Sequence, residues 1–253
     1  MLSPRVRERF DRVAESRTRT SFYAMSHGWI APVFTTTMMS EEAGHAGQAD
    51  RFLQWLTTTA EERGRAEDDD RLSLVELAEL ACAYADRAFE RAGGPQRAEA
   101  SDCRRGCDYC CNLPVETCRA EATRALEFAR KTLNAAEFRE LKHRIREAAA
   151  CYPLPPERPP AQNPPCPLLK DSACLVYEVR PLACRGWNSN DAAACRAAYE
   201  RGVNKVTVPV DTRIRGVYAN ASEALLRGLT RTRRDGPTHL VPALAALIVL
   251  EDA

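Results

Sequence analysis

The sequence predicts a mainly α fold, a small helical domain wrapped around a cysteine-rich site, with little β and long loops. Apolar residues recur at helical spacing through most of residues 71–253. Eleven cysteines stand in the chain, and those with short mutual spacing fall between Cys103 and Cys195. No alternation of strand and helix patterns is present, which excludes a βαβ architecture.

The elements follow in order. Two helices are expected near Val6–Val13 and Phe52–Ala60, within a cysteine-free stretch that ends at the charged break Glu67–Asp70. Residues 1–70 are therefore read as a helical extension, and residues 71–253 as a helical core whose cysteine cluster occupies about 100–200. Ser73 with Glu76 three residues on forms a capping box. It opens a helix whose face is Leu74, Leu77, Ala78, Ala81 and Ala85. Thr117 is placed to cap a helix carrying Ala122, Ala125, Leu126, Ala129 and Leu133. Phe138, Leu141, Ile145 and Ala148 make the face of another. Half of the chain's 16 prolines lie in Pro153–Pro167, a stiff extended connector that delivers Cys166. Val206–Val210 resembles a short strand. Asp211 caps a helix with Ile214, Val217, Tyr218, Ala221 and Leu225 on one side. Thr238, with Pro242 in the first turn, opens a last helix through Leu244, Leu247 and Ile248.

The 36 basic residues nearly balance the 35 acidic ones, for a net charge of +1. That excludes the strong basic bias of a nucleic-acid partner. The run Arg227–Arg234 reads as a solvated helix end. The start MLSPRVRERF lacks the apolar stretch of a secretory signal. No uninterrupted apolar run approaches the roughly 18 residues of a membrane span. A cytoplasmic protein is expected. In a reducing compartment, cysteines at short spacing point to metal binding or redox chemistry rather than to disulfides.

The first cysteine group is Cys103-Arg-Arg-Gly-Cys107-Asp-Tyr-Cys110-Cys111. The second comprises Cys166, Cys174 and Cys184, with Cys195 shortly after. Short spacings let one turn present several sulfurs to a common centre, and Gly106 relaxes the backbone between them. Thiolates are soft donors that select zinc or iron–sulfur clusters over hard cations, and either takes four sulfurs. Arg104, Arg105, Arg180 and Arg185 are natural partners for the resulting negative charge. The adjacent Cys110 and Cys111 do not readily face one mononuclear centre. Either one of them is structural, or the site holds two metals or a polynuclear cluster, and the surplus of sulfur leans towards iron–sulfur. Cys82 and Cys118 read as buried packing residues, and Cys151 as a non-ligand beside the connector. His27, His45, His143 and His239 show no ligand spacing and read as surface or capping residues.

The pattern C-x3-C-x2-C-C, then Cys166-Pro-Leu, then Cys174-x-x-Tyr177-x-x-Arg180-Pro181-x-x-Cys184-Arg185, resembles the YkgJ-like CxxxCxxCC cysteine-cluster family over about residues 100–200. Its members are described as zinc- or iron-chelating proteins, some as iron–sulfur oxidoreductases. The resemblance implies Cys103, Cys107, Cys110, Cys111, Cys166, Cys174 and Cys184 as metal ligands, with Tyr177, Arg180, Pro181 and Arg185 supporting them. Cys195 sits where a further cysteine is common. A metal ion is thus the expected partner, bound in a structural, electron-transfer or metal-handling role. The alternative is an iron–sulfur oxidoreductase or transferase, because a similar cluster occurs in flagellin lysine-N-methylases. Cys103, Cys107 and Cys110, with Tyr109 before the last, also imitate the radical S-adenosylmethionine triad. That triad follows the first strand of a βα barrel, and no glycine-rich methyl-donor loop follows it here.

Overall fold

The computed structural model describes residues 70–152, 164–201, 205–231 and 236–252. The expected helices near Val6–Val13 and Phe52–Ala60, and most of the proline connector, lie outside them. Among the described residues the fold is mainly helical. Its helices are α1 (Asp70–Arg91), α2 (Gly94–Glu99), α3 (Arg119–Thr132), α4 (Ala135–Ala150), α5 (Leu182–Gly186), α6 (Ala192–Arg201), α7 (Thr212–Arg231) and α8 (Leu240–Asp252). No helix among them is long and apolar enough to cross a membrane.

The helical stripes named from the sequence are the ones that pack. Leu74, Leu77, Ala78, Ala81 and Ala85 of α1 are fully buried. They form one core with Cys118, Ala120, Leu182 and the α7 face of Ile214, Tyr218, Ala221 and Leu225. A second core joins Ala122, Ala125, Leu126 and Ala129 of α3 to Leu141 and Ile145 of α4 and Leu244, Leu247 and Ile248 of α8. Helix α3 therefore lies between both cores. Alanine on its faces lets neighbouring helices approach closely, and burial contributes about 25 cal/mol per Å² of apolar surface.

Several helix boundaries differ from the sequence expectation. Ser73 lies inside α1, which already includes Asp70, so it does not mark the start. Cys118, not Thr117, occupies the N-cap of α3. Thr117 is instead paired in a strand, and its hydroxyl donates to Glu121 at 2.8 Å. Helix α4 begins with a capping box that the sequence reading overlooked. Asn134 accepts from the amides of Ala136 and Glu137, and Glu137 accepts from the Asn134 amide. Asp211 does cap α7, accepting from Arg213 and Ile214 at 2.9 and 3.1 Å. The last helix starts at Leu240, two residues beyond Thr238.

Two short antiparallel pairs complete the described fold. Strand β1 (Glu116–Thr117) pairs with β4 (Thr238–His239), setting Glu116 opposite His239. Strands β2 (Leu169–Lys170) and β3 (Ala173–Cys174) form a hairpin with Leu169 opposite Cys174. Its two loop residues, Asp171 and Ser172, both have positive φ (51° and 57°), the twist that tight hairpins need. Val206–Val210 is not a strand. Pro209 lacks an amide for a ladder, and the segment leads directly into the Asp211 cap.

Candidate metal centre

The first cysteine motif is a loop tied at both ends. Cys103 follows Ser101 and Asp102, which are bound to the loop before α6. The Ser101 hydroxyl and the Asp102 amide donate to Ser189 O at 2.8 and 2.9 Å, and the Ala192 amide donates to Asp102 Oδ2 at 2.9 Å. The Ser189 amide donates to Cys103 Sγ at 3.1 Å. A tight turn follows, with Cys107 N donating to Arg104 O at 3.0 Å and Gly106 at φ +97°. This is the left-handed backbone that glycine adopts without strain. Tyr109–Asn112 then forms a single 3-10 turn carrying Cys110 and Cys111.

The second motif closes on that turn. The Cys166 amide donates to Cys111 O at 2.8 Å, which fixes the end of the proline connector against the vicinal pair. Cys166 precedes the β2–β3 hairpin and Cys174 ends its second strand, and both pack on the second core. A 3-10 turn at Tyr177–Val179 leads through Pro181, the N-cap of α5, to Cys184. Cys195 lies in the first turn of α6, which packs against the Tyr109–Asn112 turn. Arg196 donates to the Tyr109 hydroxyl at 3.0 Å, and the rings of Tyr109 and Tyr199 stand 6.1 Å apart.

None of the eleven cysteines is joined in a disulfide. Burial pushes Cys103, Cys107, Cys174 and Cys195 above the usual thiol range, Cys166 to about 12, and Cys184 well up. Cys110 is raised most by its hydrogen bond with Cys111, and then by burial. The thiols also repel one another as charges. Cys110 acts on Cys103, Cys107 and Cys195, and also on Cys166, Cys174 and Cys184. The backbone pulls the other way. Amides of Tyr109, Leu168 and Val176 each serve the sulfur two residues earlier, at Cys107, Cys166 and Cys174. Such a donor favours a negatively charged sulfur.

The supporting residues divide. Arg180 lies 3.9 Å over the Tyr177 ring and donates to Tyr177 O at 3.1 Å, while Arg105 from the first motif lies 5.6 Å over the same ring. One aromatic ring thus holds two cations, and both favour ionised Cys174. Arg185 is directed elsewhere. It grips Asp86 of α1 through both carboxylate oxygens at 2.9 and 3.1 Å and donates to Arg180 O and Glu178 O. Its hydrogen bonds therefore fix the turn carrying Cys184 rather than reaching a sulfur of the cluster.

The remaining candidates stand apart. Cys82 is buried and accepts from Arg124 at 3.2 Å, Cys118 is buried, and Cys151 is exposed. His143 sits on the surface beside Glu147. His239 departs from the surface reading: it is buried against Tyr152, with Nδ1 unpartnered. His27 and His45 lie outside the described residues. Sequence reasoning also missed Glu121, which is 3 % exposed and accepts the Leu182 amide at 2.7 Å. A glutamate in an alanine-rich helix carries no signal of such a distant partner.

The donor set fits a soft cation. Thiols are soft donors, amides are aimed at four of them, and Arg105 and Arg180 favour the ionised form of Cys174. Among the described residues no three His, Cys, Asp or Glu side chains stand at metal-holding spacing. The cysteines of the two motifs therefore form no coordination shell in this arrangement.

No curated protein and no solved structure matches the chain. Residues 102–201 match the model of the CxxCxxCC family, described as a "Putative zinc- or iron-chelating domain". The match begins one residue before Cys103 and ends with α6, so it spans both motifs and the segment that carries Cys195. This cysteine-bearing segment is therefore similar to the CxxCxxCC cysteine-cluster domain, over somewhat less than half of the chain.

Proposed function

We propose that the chain binds zinc or iron through thiolates drawn from Cys103, Cys107, Cys110, Cys111, Cys166, Cys174, Cys184 and Cys195. The observation that carries this reading is the set of backbone amides facing sulfur. Ser189 N lies 3.1 Å from Cys103 Sγ, and the amides of Tyr109, Leu168 and Val176 serve three more sulfurs. A buried thiol has little need of such donors, whereas a thiolate held by a cation does. Bound metal would supply the positive charge that lets mutually repelling thiols ionise, and the protein supplies the loop geometry. Arg180 and Arg105, stacked at Tyr177, offset the excess negative charge of a four-sulfur shell. The surplus of sulfurs and the vicinal pair favour iron–sulfur over a single zinc. The role is structural, electron-transfer or metal-handling.

The test is anaerobic purification of the full chain, followed by assay of zinc, iron and acid-labile sulfide per chain with an absorption spectrum. Iron with matching sulfide supports the cluster form. Zinc without sulfide or colour supports a structural or metal-handling site. A chain that neither retains metal nor takes it up after reduction refutes the reading.

A further inference from the structure

Away from the cysteines, α3 and α8 line a cavity of about 350 Å³. Small-molecule sites measure roughly 300–1,000 Å³. The α3 wall is one helical stripe. Arg119, Thr123 and Glu127 follow at four-residue spacing and so share a face, with Leu126 and Arg130 beside them. Leu247, Leu250 and Glu251 of α8 form the other wall, and Leu250 is 65 % exposed. Thr123 is buried, and its hydroxyl has no hydrogen-bond partner. A buried hydroxyl left unpaired is destabilising, and a polar group brought to it would relieve that cost. The charges of the cavity are unequally matched. Arg130 is bound to Glu251. Glu127 has only Lys131, which stands 3.8 Å from one of its oxygens and is mostly exposed. Arg119 is half-buried and meets no carboxylate among the described residues. One uncommitted cation and one loosely held acid therefore lie a helical turn to either side of the unpaired hydroxyl, beside three leucines.

We propose that this cavity binds an aliphatic α-amino acid of leucine's size. Its carboxylate accepts from the Arg119 guanidinium and the Thr123 hydroxyl. Its ammonium pairs with Glu127, and its side chain covers Leu126, Leu247 and Leu250. A zwitterion meets both charges of the stripe. A simple carboxylic acid brings a further anion beside Glu127 and Glu251, and an amine leaves Arg119 and Thr123 unmet. The site shares no residue with the cysteine motifs, so it does not rest on metal binding.

The test is isothermal titration calorimetry of the full chain with L-leucine, with isocaproate, which lacks the ammonium, and with isoamylamine, which lacks the carboxylate. Leucine should bind saturably at one equivalent. Each analogue should bind about tenfold more weakly or worse, the loss expected for one charge-assisted hydrogen bond. Thr123→Val keeps the side-chain shape and removes the unpaired hydroxyl. It should melt no lower than the wild type yet bind leucine about tenfold more weakly. Arg119→Gln should weaken binding at least as much. A wild type that does not bind leucine overturns the proposal, as does wild-type affinity in Thr123→Val. Equal binding of isocaproate and leucine overturns the assignment of the ligand as a zwitterion.

Discussion

Glu121 offers the sharpest test of how the helical cores hold the cysteine turn. Its carboxylate is 3 % exposed and accepts the Leu182 amide at 2.7 Å and the Thr117 hydroxyl at 2.8 Å. It joins α3 to the start of α5, two residues before Cys184. Glu121→Ala leaves both donors buried and unpartnered, at about 1–3 kcal/mol each, so a total loss of roughly 2–6 kcal/mol is expected. That is a large part of the roughly 5–15 kcal/mol by which domains are stable. Glu121→Gln keeps an acceptor for Leu182 and can donate to Thr117, so it costs about 1 kcal/mol or less. The charge adds a pH signature. Burial raises the carboxyl above its ordinary 4.5, against the pull of the Leu182 amide, the Thr117 hydroxyl and Arg124. A raised folded pKa means the folded state holds the proton more tightly. The stability this contributes is full below the unfolded value and is lost as pH rises through the folded one. Urea unfolding followed by circular dichroism from pH 4 to 8 should therefore show wild-type stability declining with pH relative to Glu121→Gln. Equal pH slopes in the two proteins, or an alanine variant as stable as the wild type, would refute the reasoning. Metal retention adds a second readout: the alanine variant should release metal faster, and the glutamine variant should not.

Three further outcomes are expected. A Cβ at Gly186 would stand 2.9 Å from Tyr218 Cβ, so Gly186→Ala forces α5 from α7 and lowers stability by about 1–3 kcal/mol, seen as a lower melting temperature. Gly106→Ala meets no neighbour but must hold φ at +97°, a strain of about 1–3 kcal/mol, read as faster metal loss with the helical signal unchanged. Tyr177→Leu removes the ring shared by Arg105 and Arg180, worth about 0.5–1 kcal/mol per cation at exposed sites, and should speed chelation; Tyr177→Phe keeps the ring and should match the wild type.

The helical cores were legible because burial repeats at helical spacing. Leu74, Leu77, Ala78, Ala81 and Ala85 sit inside for the same reason that they were chosen. Boundaries were less legible, because capping depends on what a side chain finds after folding. Thr117 had the chemistry of a cap, but Glu121 offered its hydroxyl a buried acceptor and β4 took its backbone. The cysteine motifs, together with Tyr177, Arg180 and Pro181, carried the family resemblance that the match over residues 102–201 supports. Spacing does not reveal which arginine faces sulfur: Arg180 and Arg185 lie five residues apart, yet one stacks on Tyr177 and the other binds Asp86, far back in the chain. Burial of His239 was equally hidden, since it depends on strand pairing between segments distant in sequence.

The distribution of apolar packing gives metal a specific part in folding. Residues 101–112 contribute no member to the apolar cores among the described residues. They are held by hydrogen bonds to the 189–192 loop and by Cys111 O, each contributing only about 0.5–1.5 kcal/mol net. Helices α1, α3 and α7, by contrast, rest on fully buried side chains. Thiolate–metal bonds would therefore stabilise the loop far more than its own contacts do. Hydrogen exchange on chelation should rise first in residues 101–112 and 187–201, next around 166–184, and last in α1 and α3. Uniform loosening of the whole chain would mean that the cysteine segment and the helical cores fold as one cooperative unit. Unchanged exchange after verified metal removal would mean that the hydrogen bonds alone hold the loop.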